Sequence, residues 1–284
     1  MPEEKEPPKL SEEEECDIAI SKLNLYDARD HASKFVPQDY LEGFYSSAKE
    51  DIAMQIVLFF VPGIIYRLPE SIENMLDLGA GPTVYIPIAT RTRVKNVFTS
   101  DYAEANREAL KLWIDNDPKC FDWTKVCEWL ATIEANFETP KEMQDRTRQN
   151  MRAVLDVDVY EDNPIKGVFY KTKSDIQIPQ QFDLVSTIFC LEYATETLKD
   201  YQKVVKNAIS LLKPGGYLLQ GGVLEATEYS FGQSRFKCFK LEQYILIETL
   251  KNNGMETDVK SGKFKFIEHD TVFILISQKK INKN

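Results

Sequence analysis

Beyond about residue 25 the chain alternates short apolar runs with amphipathic ones. Residues 74–79 (NMLDLG) form an apolar run that ends on glycine, the pattern of a buried strand feeding a tight turn. The same reading places strands at 96–101, 152–159, 182–190 and 217–221. Helices are expected at 48–60, 103–116, from the end of the fourth strand to about 212, and at 244–253, with further helices inside 118–150. Lys213-Pro214-Gly215-Gly216 reads as a turn, and 257–259 with 271–277 as an antiparallel pair closing the sheet. Strands alternating with helices predict an α/β fold with a doubly wound, mostly parallel sheet in one domain, without internal repeats. Ligands in such sheets bind beyond the carboxyl ends of the strands, where the strand order reverses. The chemistry is therefore expected at residues 79–85, 101–106, 158–159 and 187–192.

Composition narrows the classes. Hydrophobic residues make up 43% of 284, enough for one large core. Of the net charge of -10, residues 1–17 carry seven Glu and one Asp against two Lys. Residues 1–24 are thus expected to be a disordered acidic tail. The rest holds no cluster of Lys and Arg, so a nucleic-acid partner is not expected. Five cysteines without a C-x-x-C pair, and His31 and His269 outside any ligand-spaced motif, predict neither a disulfide framework nor a metal site. The apolar stretch 52–65 is too short to span a bilayer, and residues 1–30 contain no signal-like apolar run. A monomeric cytosolic enzyme without a membrane partner is the expectation.

The loop after the first strand carries the first chemical signal. Gly79 and Gly81 allow backbone to approach a ligand closely. Val84 stands where a dinucleotide fingerprint has its third glycine, and Pro82 removes an N–H that a pyrophosphate would use. The loop suits a nucleoside without a diphosphate, which counts against a nucleotide-dependent oxidoreductase. Asp101 ends the second strand 22 residues after Gly79, where a carboxylate can receive ribose hydroxyls or cap the following helix. Tyr102 is placed to stack on a nucleoside, and Asp158 beside Val159 offers an acid and an apolar wall to adenine.

These blocks, with the N-terminal run Phe35-Val36-Pro37-Gln38-Asp39-Tyr40-Leu41-Glu42-Gly43-Phe44-Tyr45, carry a family resemblance. So do Leu76 to Tyr85, Thr99-Ser100-Asp101-Tyr102 with Asn106 and Trp113, Phe121-Asp122-Trp123, Ser186-Thr187 and Leu211 to Gly216. Over residues 31–280 the chain resembles the nicotinamide, phenylethanolamine, indolethylamine and thioether methyltransferases. The resemblance implies a Rossmann-like class I methyltransferase that uses S-adenosylmethionine on a small-molecule nitrogen. It implies an N-terminal helical lid at 25–66 and a core at 74–280 with a helical insertion at 118–150. Tyr40 and Tyr45 would then close over the cofactor, and Gly79, Gly81, Thr83 and Tyr85 would hold its methionine part. Asp101, Tyr102 and Asn106 would hold the ribose and adenine side, and Asp158, Val159 and Thr187 the adenine and sulfonium surroundings.

At the acceptor the resemblance divides. Nicotinamide-specific members carry an Asp after the fifth strand and a Ser four residues on, where this chain has Gly222 and Ala226. Restoring both with Gly222→Asp and Ala226→Ser is expected to tighten a carboxamide. Tyr229 keeps the position of the substrate-stacking tyrosine, and Ile188 joins it as a substrate contact. Glu192 and Glu225 resemble the acids of the amine-methylating branch. Glu192 and Tyr40 are the candidate catalytic residues, and the acceptor stays open between a pyridine such as nicotinamide and an arylalkylamine.

Overall fold

A computed structural model describes residues 11, 18–46 and 52–281. Most of the expected acidic tail, and residues 48–51 of the helix expected at 48–60, lie outside the described residues. Eight strands form the main sheet. They are β2 (Ile72–Leu78), β3 (Val94–Asp101), β4 (Met151–Val157), β5 (Ile165–Lys171), β6 (Phe182–Ile188), β7 (Leu212–Val223), β10 (Phe264–His269) and β11 (Val272–Gln278). Their order across the sheet is β10-β11-β7-β6-β2-β3-β4-β5. The five central strands, β7 through β4, are parallel, while β5, β11 and β10 add antiparallel edges.

Alternate residues of each strand face opposite sides, and both sides are covered. Met75, Val97, Val154, Leu184 and Ile274 enter one apolar cluster, while their neighbours Leu76, Phe98, Leu155, Val185 and Leu275 enter the other. The first face is packed by α3 (Ile52–Ile65), α4 (Tyr85–Thr90), α5 (Glu104–Ile114), α6 (Thr124–Glu134) and α7 (Pro140–Asn150). The second carries α8 (Leu198–Ser210) and α9 (Gln243–Asn252). Helices α6 and α7 are the expected insertion. Ala135, at φ 51°, ends α6, and a Thr139–Glu142 capping box begins α7.

Several boundaries differ from the sequence reading. Helix α3 continues through Pro62 and Gly63 to Ile65 because Val61, Ile64 and Ile65 are buried, and that burial outweighs the missing proline N–H. Lys213 to Gly216 lie within β7: the register jumps from Phe182↔Leu212 to Leu184↔Tyr217, so the extra residues bulge out with Gly215 at φ 81°. The strand expected at 257–259 is a short 3-10 turn, Val259–Ser261, held by Asp258 accepting from Lys260 N; the strand begins at Phe264. Helix α8 starts only at Leu198, capped by Thr197, after a loop at 189–197. Edge strand β5 was not expected, since none of its seven residues is fully buried and Gly167 interrupts its alternation.

A second, small sheet was also not expected. Strand β1 (Asn24–Tyr26) pairs in parallel with β9 (Ser234–Lys237), which forms a hairpin with β8 (Glu228–Phe231). It ties the N-terminal segment to the region after β7. The segment continues through the short helices α1 (His31–Lys34) and α2 (Pro37–Leu41), whose Tyr40 packs on Phe35, Phe44 and Phe231. No described helix is long and apolar enough to cross a membrane.

Candidate active site

The chain runs from β2 outward to β4 in one direction and from β6 to β7 in the other, so the strand order reverses between β2 and β6. At that point Gly79 and Gly81 take φ 66° and 61°. A Cβ on Gly79 would stand 2.2 Å from Cys190 Sγ, so only glycine lets the loops after β2 and β6 meet. Around this junction lies a cavity. Its wall includes Gly79, Gly81, Thr83 and Tyr85 after β2, and Asp101, Tyr102 and Asn106 after β3. Asp158 and Val159 after β4, Ile188 of β6, Tyr229 of β8 and Tyr40 of the N-terminal segment complete the expected part.

Asp101 both braces the loop and leads into the helix. Its Oδ2 accepts from Gly81 N at 2.8 Å, and its Oδ1 from Ala103 N at 2.8 Å and Asn106 Nδ2 at 3.0 Å. Burial raises its carboxyl above the ordinary range, against the lowering effect of these donors. Asn106 Oδ1 is buried beside it with no hydrogen-bond partner among the described residues. One lone pair of Asp101 and this carbonyl oxygen together can receive two hydroxyls.

Asp158 is engaged more fully than expected. Arg29 Nη1 and Nη2 donate to its two oxygens at 2.9 and 2.8 Å, and Tyr160 N donates at 3.0 Å. Burial alone would raise the Asp158 carboxyl, but these bonds hold it below the usual range. The Arg29 guanidinium also lies 4.6 Å from the ring centres of both Tyr102 and Tyr160. It thereby clasps the N-terminal segment to the end of β4.

Other expected site residues are placed elsewhere. Tyr45 is not in the cavity wall; it is 1% exposed and packs on Tyr85 and Trp123. Thr187 is buried within β6 and does not line the cavity. Glu225 is exposed and paired with Lys240 at 3.0 Å, turned from the cavity by a backbone φ of 64°. Ala226 does not line the cavity, and its carbonyl receives Cys238 Sγ.

Glu192 is 1% exposed and absent from the cavity wall. Its carboxyl fills the space in front of Gly222, where a Cβ would stand 2.0 Å from Glu192 Oε1. The space beside Gly222, where the nicotinamide pattern has an acid, thus holds the Glu192 carboxyl from the loop after β6. An aspartate side chain introduced at Gly222 would have to displace the Glu192 carboxyl, so the expected benefit of Gly222→Asp depends on Glu192 moving aside. Oε1 accepts from Val223 N at 3.3 Å, and Oε2 has no partner among the described residues. Burial raises this carboxyl to about 8.

The cavity wall also holds Arg29, His31, Asp77, Phe189, Cys190 and Tyr193, which the sequence reading did not select. Asp77, two residues before the expected loop, is buried, accepts from Ser186 Oγ at 2.5 Å and is raised to about 7 by burial. Its place at a strand end was a readable signal. For Arg29 and His31 there was none. Among the described residues, no group of three or more His, Cys, Asp or Glu could hold a metal.

The family model described as the NNMT/PNMT/TEMT family matches residues 23–280. The chain belongs to this family. It is 54% identical over 252 residues to a nicotinamide N-methyltransferase of Caenorhabditis elegans, covering 89% of this chain and 92% of that one. It is 27% identical to an indolethylamine N-methyltransferase of Oryctolagus cuniculus, covering 81% and 85%. A magnesium protoporphyrin IX methyltransferase from Synechocystis superposes with a TM-score of 0.50 at 11% identity, covering 89% of this chain and 95% of that one, a likeness of fold. As a member of the NNMT/PNMT/TEMT family, the protein is an S-adenosylmethionine-dependent N-methyltransferase of small molecules.

Proposed function

We propose that this enzyme methylates the ring nitrogen of a planar pyridine, nicotinamide or a close analogue. The observation that carries the reading is the pair of parallel rings Tyr193 and Tyr229, with centroids 4.1 Å apart and planes within 8°, in the cavity wall near Ile188. The two rings stack on each other and leave no room between them, so a flat aromatic acceptor would meet their edges or an outer face. The acids lining the cavity, Asp77, Asp101 and Asp158, all stand on the β2–β4 side. A pyridine nitrogen is unprotonated at neutral pH and needs no base among them. The relative from Caenorhabditis elegans that bears the name nicotinamide N-methyltransferase supports the same choice.

When bound, the cofactor supplies an electrophilic methyl group on a sulfonium. The chain's part is to align the acceptor and exclude water, and alignment provides most of the rate in such a displacement. Gly79, Gly81, Thr83, Tyr85 and Asp77 would hold the methionine end. Asp101 and Asn106 would receive the ribose hydroxyls, and Tyr102, Val159 and the remaining lone pair of Asp158 would face adenine. Tyr40 would cover the site from the N-terminal segment. The acidic charge balance counts against a nucleic-acid partner.

An arylalkylamine is the second reading, favoured by the buried, unpartnered Oε2 of Glu192, which an ammonium would satisfy. Methyl transfer to a panel of nicotinamide, quinoline, tryptamine, phenylethanolamine and a dialkyl sulfide separates them. Nicotinamide or quinoline is expected to be turned over best, with little response to Glu192→Gln. Preferential turnover of tryptamine or phenylethanolamine, lost in Glu192→Gln, would establish the amine reading instead.

Asp77 gives the cofactor site a pH dependence. Its carboxyl is raised to about 7, so the folded chain holds this proton more tightly than the unfolded chain. Its contribution to stability is therefore greatest in acid and declines as pH climbs from about 4 towards about 7. A cationic methionine end favours the ionised form and opposes that decline. Affinity for S-adenosylhomocysteine, measured by calorimetry, is expected to rise roughly tenfold between about pH 5 and pH 8 and to flatten above about 7. Asp77→Asn should abolish the rise; an unaltered profile in that variant removes Asp77 from the site.

A further inference from the structure

His31 and Tyr229 lie 198 residues apart in sequence, yet the small sheet brings both into the cavity wall. The His31 ring stacks on Phe236 at 4.3 Å and on Tyr229 at 5.8 Å, so its orientation is fixed by packing on aromatic faces. Its Nδ1 lies 2.5 Å from Ala28 O. A carbonyl oxygen only accepts, so Nδ1 carries hydrogen and donates to it. Its Nε2 is hydrogen-bonded to the Tyr229 hydroxyl. In the neutral ring that Nε2 bears a lone pair, so the hydroxyl donates to His31. Burial disfavours the charged imidazolium and keeps the ring neutral at physiological pH.

The consequence falls on the other side of the phenol. A tyrosine hydroxyl has one hydrogen to give, and here it is given to His31. We infer that His31 is a specificity-determining residue: by holding the Tyr229 hydroxyl hydrogen, it leaves Oη only lone pairs for the acceptor and so selects acceptors that carry an N–H group. A carboxamide N–H2 meets that requirement, and a dialkylated amide or an ester does not. Without His31 the hydroxyl can rotate and donate, and a carbonyl or ester oxygen becomes an equally good partner. The inference rests on the reading of Tyr229 as part of the acceptor site. It adds a recognition element that stacking alone does not supply, because stacking is indifferent to the hydrogens on a substituent.

The test compares kcat/KM for nicotinamide and N,N-dimethylnicotinamide in the wild type, His31→Phe, Tyr229→Phe and the double variant. Phenylalanine keeps a stacking ring at either position while removing the polar atom. The wild type is expected to favour nicotinamide by roughly tenfold or more, as for a lost hydrogen bond at a polar site. His31→Phe should narrow that preference to about threefold or less, chiefly through KM. Tyr229→Phe should narrow it similarly, and the double variant should change it no further. A folded His31→Phe that binds S-adenosylhomocysteine normally and keeps the full preference overturns the inference, as does Tyr229→Phe keeping it. Nitrogen NMR of the wild-type imidazole gives an answer that depends on neither folding of a variant nor identity of the acceptor. The inference requires hydrogen on Nδ1 and a bare, hydrogen-bonded Nε2, and the opposite tautomer overturns it. If no pyridine is turned over while the imidazole has the required tautomer, the proposed acceptor has failed and the directed hydroxyl has not.

Discussion

Asp101→Ala is expected to weaken S-adenosylhomocysteine binding by about 2–3 kcal/mol, roughly thirty- to 150-fold, and to lower the melting temperature as well. Two separate losses are combined. The carboxylate receives Gly81 N, Ala103 N and Asn106 Nδ2, so its removal leaves a loop amide, a helix-leading amide and a side-chain amide without their acceptor. Each such loss in a buried setting costs about 1–3 kcal/mol. The ligand loses the lone pair that would receive a ribose hydroxyl, and the Gly79–Gly81 turn loses its brace. Asp101→Asn separates these effects, since its carbonyl oxygen can still accept from Gly81 N or Ala103 N. Calorimetry and thermal melting on both variants decide the matter. A melting temperature that falls while affinity is unchanged would leave Asp101 as a brace and helix cap only.

Gly222→Asp is expected to destabilise the folded chain by about 2–4 kcal/mol and to abolish acceptor turnover. The new Cβ would meet Glu192 Oε1 at 2.0 Å, within β7, whose backbone is paired on both sides. Overpacking of this kind costs about 1–3 kcal/mol. A second carboxyl in the same buried space adds the cost of burying another polar group beside the first. Combining Gly222→Asp with Glu192→Ala should recover most of the stability, because one carboxyl then occupies the space that one occupies now. Urea unfolding of the two single variants and the double variant closes a thermodynamic cycle. A coupling near zero would show that the two positions do not share this space.

The parts of the site legible in the sequence are those set by local rules. Glycines at 79 and 81 announce a backbone with positive φ, and an acid at the end of the next parallel strand sits one strand spacing away whatever else the chain does. The apolar runs of β2, β3 and β6 were legible because both faces of these strands are buried. The main sheet and the cofactor half of the cavity follow from such signals, and the family blocks fall on the same residues.

The long-range pairings around the site obeyed no local rule. The partners Arg29–Asp158, His31–Tyr229 and Glu192–Gly222 lie 129, 198 and 30 positions apart, and each meets only through the packing of separate elements. Strands β1, β8 and β9 have three or four residues each, too few to show an alternation, and gain their hydrogen bonds only from one another. Reading by position placed both Glu192 and Glu225 at the acceptor and left Gly222 without a carboxyl. The tertiary structure sends Glu225 out to Lys240 and brings Glu192 into the space before Gly222. The sequence by itself determined the strand–loop–strand frame and the residues at its ends, because those depend on neighbours along the chain. Only the tertiary structure decided which side chains face the acceptor, because an empty volume beside a glycine is filled by whatever the fold brings nearest.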